Sequence, residues 1–170
     1  MTAGLPESYK LERLQLDGRY AIDLSYPSFA PFMKYSDVDS LRKKLRFMYL
    51  NIGAPDNITI LDDIITNCKN FADILGYSSY AEYIIEESMA KSPDTVWNFE
   101  NMLRENIKMK ADFDTKQMLA IKKETTGMDS AILYDWDKYY YENKLLFAKY
   151  NVDSEKVKEY FEINQVIEGF

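Results

Sequence analysis

Between Pro55 and Gly76 the apolar residues Ile60, Leu61, Ile64, Ile65, Cys68, Phe71, Ala72 and Leu75 recur at spacings of three and four. That period lays them along one stripe of an α-helix and is incompatible with the two-residue alternation of a half-buried strand. Asp56 and Asn57 stand at its start as capping candidates, and Gly76 occupies the position after the last turn where a left-handed backbone ends a helix. A stripe of this length commits the chain to a long helix that needs something to pack against. The same spacing appears earlier in Val38, Leu41, Leu45, Met48, Tyr49 and Ile52, and it stops at Gly53.

Start signals continue the helical reading. Ser79 with Glu82 three residues on has the form of a capping box and predicts a helix from Ala81 to Lys91. Ser92-Pro93-Asp94 combines an N-cap hydroxyl, a proline where no amide is needed and an acid favoured by the helix dipole. The helix it opens has Val96, Phe99, Leu103 and Ile107 as its expected buried side and runs to Thr125, Thr126 and Gly127. Asp135-Trp136-Asp137 starts another helix with Tyr140, Tyr141, Leu145 and Ala148, and Asp153-Ser154 caps a short one reaching Tyr160 and Phe161. Asn164 stands as a fresh N-cap before Gln165, opening a single turn too short to be stable alone, so the chain reads as cut there.

One segment departs from this pattern. Tyr20 to Leu24 alternates as a short strand does, and Pro27 and Pro31 after it are expected to interrupt regular structure. The expected fold is all-α, an irregular multi-helix bundle with at most a short β element near residues 20–24. No repeat near 34 or 40 residues supports a helical solenoid.

Composition removes whole classes of function. The 170 residues include no histidine and one cysteine, so a conventional zinc site, a Ser-His-Asp triad and an intrachain disulfide are not available. Lys and Arg number 21 against 28 Asp and Glu, a net charge of -7 that opposes binding to nucleic acid or an anionic membrane. No apolar run approaches the roughly 20 residues that span a bilayer, and the N-terminus has no basic and apolar leader. The expectation is a soluble intracellular protein.

The conspicuous side chains each have a simple reading. Cys68 lies in an apolar stripe and reads as a small core residue. Trp136, Tyr139, Tyr140, Tyr141 and Tyr150 read as packing between helices, with a peptide-stacking platform as the alternative. Glu82, Glu86 and Glu87 read as a solvated helix face, Asp62 and Asp63 as dipole-stabilising acids of a first turn, and Arg42-Lys43-Lys44 with Arg46 as the wet side of a helix. Met48, Met89, Met102 and Met109 read as core filler. No residue emerges as catalytic, cofactor-binding or metal-binding.

Several separated motifs nevertheless agree in order and spacing with one family. They are Gly4-Leu5-Pro6-Glu7, Tyr26-Pro27-Ser28-Phe29, Ile74-Leu75-Gly76-Tyr77 with Tyr80-Ala81-Glu82-Tyr83, and Met89-Ala90-Lys91-Ser92-Pro93 with Val96 and Phe99. Trp136-Asp137 with Tyr140-Tyr141, Tyr150 to Asp153, and Lys158 to Phe161 with Val166 and Gly169 complete the set. Together they resemble the thimet oligopeptidase family of zinc metallopeptidases, which includes neurolysin-like, dipeptidyl carboxypeptidase-like and mitochondrial intermediate peptidases. Two positions depart: Cys68 stands where that family usually has Arg, and Glu162 where Pro usually follows Tyr-Phe.

The resemblance implies that residues 1–170 are a single helical segment of a larger metallopeptidase, N-terminal to its zinc site. In that family a His-Glu-x-x-His helix and a downstream Glu hold zinc, and that helix follows the Tyr-Phe and Gly segment. The implied cofactor is therefore zinc in the parent and none in this chain, which is expected to be inactive by itself. The implied partners are the rest of the peptidase and, in the parent, short peptides. The implied compartment is the cytoplasm, with the mitochondrion as the alternative for the parent. A non-catalytic helical module that binds peptides or proteins is the competing reading. Tyr160, Phe161, Ile163, Val166, Ile167 and Phe170 are expected to expose apolar surface and to drive self-association.

Overall fold

A computed structural model describes residues 2–158 and 160–169, with no account of the Ser154 side chain. Among the described residues there are nine α-helices, a 3-10 turn and no strand. The helices are α1 (Glu7–Arg13), α2 (Tyr26–Tyr35), α3 (Asp39–Leu50), α4 (Asp56–Leu75), α5 (Tyr80–Ile85), α6 (Pro93–Thr126), α7 (Lys138–Tyr150), α8 (Ser154–Lys158) and α9 (Ile163–Glu168), with the 3-10 turn at Asp135–Asp137. The all-α expectation holds. The β element reduces to an isolated antiparallel bridge between Leu14 and Tyr20, where the Gln15 amide donates to Arg19 and the Ala21 amide to Arg13.

The chain divides into two compact units, Met1–Leu50 with Asp114–Phe170, and Asn51–Phe113, and the division falls inside α6. The first unit has a core of Leu5, Tyr9, Phe29, Phe32, Met33 and Leu45, with Ile22, Leu24, Tyr49 and Tyr139 packed around it. Helix α2 supplies three of these residues, although its prolines led to the expectation of irregular backbone. Pro27 sits in the first turn, where its missing amide costs nothing. Pro31 lies one turn on and removes a single bond, and the burial of Phe29, Phe32 and Met33 outweighs that loss. The Phe29 ring stacks on Tyr49 at 3.9 Å and meets Tyr139 edge-on at 6.1 Å. The Tyr9 hydroxyl crosses to donate to the Ser28 carbonyl at 2.8 Å.

In the second unit the helix ends follow local chemistry. Helix α4 ends at Gly76, whose φ of 83° is left-handed and whose amide closes on Ala72 and Asp73. Its N-cap is Pro55, without a side-chain cap bond, so the expected capping residues Asp56 and Asn57 lie inside the helix, and Asp56 rather than Asp62 or Asp63 occupies the first turn. Asp62 and Asp63 lie beyond the reach of the terminal dipole, which corrects their expected role. Ser79 Oγ accepts from the Glu82 amide at 3.1 Å as expected, but the Glu82 carboxylate returns to the Ser78 amide and hydroxyl instead of to Ser79. Helix α5 stops at Ile85, well short of Lys91, because both the amide and the hydroxyl of Ser88 take the Ile85 carbonyl. Phe71, Tyr77, Tyr80 and Tyr83 then form a ladder of edge contacts between α4 and α5.

Helix α6 starts as read, with the Thr95 amide donating to Ser92 Oγ at 3.3 Å, and ends at Gly127 with φ 67°. Val96 is half-buried, but Phe99, Leu103 and Ile107 are exposed, so most of the expected buried side faces water in this chain. The same holds for most of the α4 stripe: Ala72 is buried, while Ile60, Leu61, Ile64 and Ile65 are about half exposed. Met48, Met89, Met102 and Met109 are also exposed and fill no core. Near the C-terminus, Asp153 caps α8 by accepting from Glu155, and Glu162, not Asn164, caps α9 by accepting from Gln165 at 2.9 Å. Phe170 lies outside the described residues.

Candidate functional site

The chemistry of the first unit converges on Asp137. The residue is wholly buried, an expensive place for a carboxylate unless cations and amides meet it. The 3-10 turn presents it, its own amide donating to the Tyr134 carbonyl while its Oδ2 accepts from the Tyr134 amide at 2.9 Å. Arg42 of α3 donates from Nη2 to Oδ1 at 3.1 Å, across 95 residues of sequence. Lys122, near the end of α6, donates from Nζ to Oδ2 at 2.5 Å and to the Ile132 carbonyl at 2.8 Å.

Arg42 is itself buried, with 1% of its surface exposed, which corrects the reading of Arg42-Lys43-Lys44 as a uniformly wet face. Its Nη1 donates to the Ser36 carbonyl at 2.7 Å and its Nη2 also to Asp39 at 3.0 Å. The guanidinium plane lies over the Tyr140 ring at 4.1 Å, a cation–π contact strengthened by burial. The neighbours behave differently: Lys43 lies over Trp136 at 5.0 Å, and Arg46 forks onto the Asp135 carboxylate, whose hydrogen bond raises the arginine further above its ordinary value.

The aromatic cluster divides in the same way. Tyr140 and Tyr141 are buried against each other edge-on at 5.0 Å, Trp136 stacks on Tyr134 at 4.5 Å, and Tyr150 is exposed. Packing is therefore what most of them do. Burial, and then the hydrogen bond of its hydroxyl to Asp37 at 2.6 Å, pushes the Tyr140 phenol well above its ordinary value. Burial also raises Tyr141. A cavity of about 540 Å³ opens beside this network, lined by Asp37, Asp39, Arg42, Lys122, Thr125, Thr126, Met128, Tyr140, Tyr141 and Lys144.

Nothing here is built to carry zinc. Among the described residues no group of three or more His, Cys, Asp or Glu side chains is placed to hold a metal ion. The carboxylates in and beside the cavity already accept from Arg42, Lys122, Trp136 and Tyr140, and the ammonium and guanidinium groups around them repel a cation. Cys68 is half-buried on α4. Glu82 serves as a cap and Glu86 accepts from the Tyr77 hydroxyl at 2.5 Å, so that acidic face is structural.

The arrangement is one of positioning. One buried carboxylate ties α3, the end of α6 and the turn before α7 into a single ionic knot beneath two tyrosines, and the residues that build it include the Trp136-Asp137 and Tyr140-Tyr141 motifs. Residues 32–170 match the family model described as Peptidase family M3. The chain belongs to that family.

Saccharolysin of Saccharomyces cerevisiae is 32% identical over 96% of this chain. Oligopeptidase A of Escherichia coli is 29% identical over 98% of it, and the mitochondrial intermediate peptidase of Yarrowia lipolytica 31% identical over 75%. The M3 chain spans 23% of the length of saccharolysin and 26% of that of oligopeptidase A. Sequence reasoning had singled out Arg42 and Asp137 in separate motifs without joining them. No local spacing links residues 95 positions apart, and the one available signal was an arginine on the same helical side as Val38, Leu45 and Tyr49. Lys122 was not singled out at all.

Proposed function

We propose that this M3 chain is a helical part of a zinc oligopeptidase, contributes to the wall of the channel that admits short peptides, and has no hydrolytic activity by itself. The observation that carries the reading is the match of residues 32–170 to the M3 model in a chain about a quarter as long as its relatives. The absence of histidine supports the second half, because the metal-binding helix of the family needs two. In this reading zinc is held by the rest of the peptidase, which is also the main partner of this chain. The parent works in the cytoplasm or the mitochondrion, the latter supported by relatives named as mitochondrial.

The purified chain, supplied with zinc and internally quenched peptides of about ten residues, is expected to show no turnover. The reading frame continued past Phe170 is expected to encode His-Glu-x-x-His, and the protein that contains it to cleave the same peptides until a chelator is added. Turnover by the 170-residue chain, or a longer protein without the motif, would overturn the proposal. A second reading, a non-catalytic helical module, is favoured by the exposed apolar residues of α4 and α6. A stop codon directly after Phe170 together with saturable peptide binding would establish it.

A further inference from the structure

The cavity beside Asp137 has more hydrogen-bond donors than its own acceptors use. Arg42 carries five N–H groups, and its bonds go to Ser36, Asp39 and Asp137, while Nε is buried without a partner among the described residues. Lys122 has three N–H groups, of which Asp137 and Ile132 take two. Lys144 is half-buried on the wall, over the Tyr140 ring at 4.9 Å, and makes no hydrogen bond among the described residues. The carboxylates, in turn, already have donors. Asp137 receives three donors, Asp39 receives Arg42 and Trp136, and Asp37 receives Tyr140. The lining holds three cations and two carboxylates, with Asp137 bonded to two of those cations behind it, and about 540 Å³ is ample for a small ion and its first waters.

We propose that this cavity is a binding site for a small oxyanion, a carboxylate or phosphate, held by Lys144 and the free N–H of Lys122, with the Arg42 guanidinium behind them. An acceptor-rich ligand adds charge-assisted bonds to the unused ammonium N–H groups, and its charge acts on the buried Arg42 guanidinium beside them. A cation or an apolar ligand would leave the donors as they are. Asp37 and Asp39 oppose the ion by their charge and set an upper limit on its affinity. The site does not depend on the reading of the chain as part of a peptidase, because all of its residues lie within the first unit.

The test is a titration of the isotopically labelled full chain with inorganic phosphate and, separately, with succinate, at ionic strength held constant with chloride. The Arg42 Nε–H resonance and the Lys144 ammonium are expected to shift saturably with at least one of the two. The responding ion identifies the preferred class, and a response to both assigns the site to oxyanions in general. Lys144→Gln is expected to weaken binding about tenfold, the loss of one charge-assisted bond. Lys138→Gln removes the same charge from the exposed side of α7 and is expected to change affinity less than twofold. Lys144→Met, which keeps the stem over Tyr140, provides the same comparison should the glutamine variant fail to fold. The proposal is overturned by an Nε–H signal that does not move with either ion. Equal weakening by the Lys138 and Lys144 variants would also overturn it, since that would be diffuse screening with no site.

Discussion

The two units of this M3 chain use the same secondary structure to opposite effect. In the first, short helices and a 3-10 turn bury Phe29, Met33, Arg42 and Asp137 almost completely. In the second, the 20-residue α4 and the start of the 34-residue α6 carry well-formed stripes, yet Ala72 is the one residue of 51–113 that is buried. Amphipathic period and cap chemistry are sufficient to form a helix. They do not supply the surface that covers it. The stability of the first unit therefore comes from contacts between residues distant in sequence, and that of the second from contacts within helices and between neighbours.

This contrast can be broken at Asp137. Asp137→Ala leaves Arg42 and Lys122 buried without their shared carboxylate and is expected to destabilise the first unit by about 3–5 kcal/mol in chemical denaturation. A loss below 1 kcal/mol would mean that the ionic knot is solvated and that the first unit is held by its apolar core alone.

A matched pair of truncations sharpens the comparison. Met33→Ala empties a wholly buried position and is expected to cost about 2–5 kcal/mol. Ile64→Ala removes as many apolar atoms from the exposed side of α4 and is expected to stay within about 0.5 kcal/mol. Equal costs in the 170-residue chain would show that the α4 stripe is covered in solution, by self-association or by closure, and sedimentation at several concentrations would separate the two.

The smallest effect concerns pH in the second unit. The Ser78 hydroxyl, and after it the Ser78 amide, hold the Glu82 carboxyl below its ordinary value. A folded-state value that is depressed adds stability above the unfolded carboxyl value, and that stability is lost as pH falls through the folded one. The start of α5 is therefore expected to loosen only under acid conditions, seen as a Ser78 amide shift that follows the Glu82 titration. The Ser78 amide of Glu82→Gln should not respond over that range. Because the Glu82 carboxylate, among the described residues, bonds only to Ser78 at the start of α5, the rest of the chain should stay folded while this happens.

Most of the helices could be read from the sequence, and for a common reason: their starts and stops rest on interactions three or four residues long. Ser92, Asp153 and Gly76 each act within one turn, and each is found where it was expected. Errors arose where two local options competed. Ser88 captured the Ile85 carbonyl and ended α5 early, and Glu162 took the cap assigned to Asn164. Helix α2 was missed because the local cost of Pro31 was visible, whereas the burial that outweighs it depends on Tyr49 and Tyr139 from other helices.

By itself, then, the sequence determined the all-α class, the C-terminal end of α4, both ends of α6, the lack of a histidine-based metal site and, through its ordered motifs, membership of family M3. Only the tertiary structure decided which stripes are covered, and only it joined Arg42, Lys122 and Asp137. The physical reason is range. Backbone hydrogen bonding and capping are satisfied within a turn, so they leave a periodic trace in the order of residues. Burial and ion pairing depend on which distant surface arrives, and a carboxylate buried among cations differs from a solvated one only through partners that its neighbours in sequence do not specify.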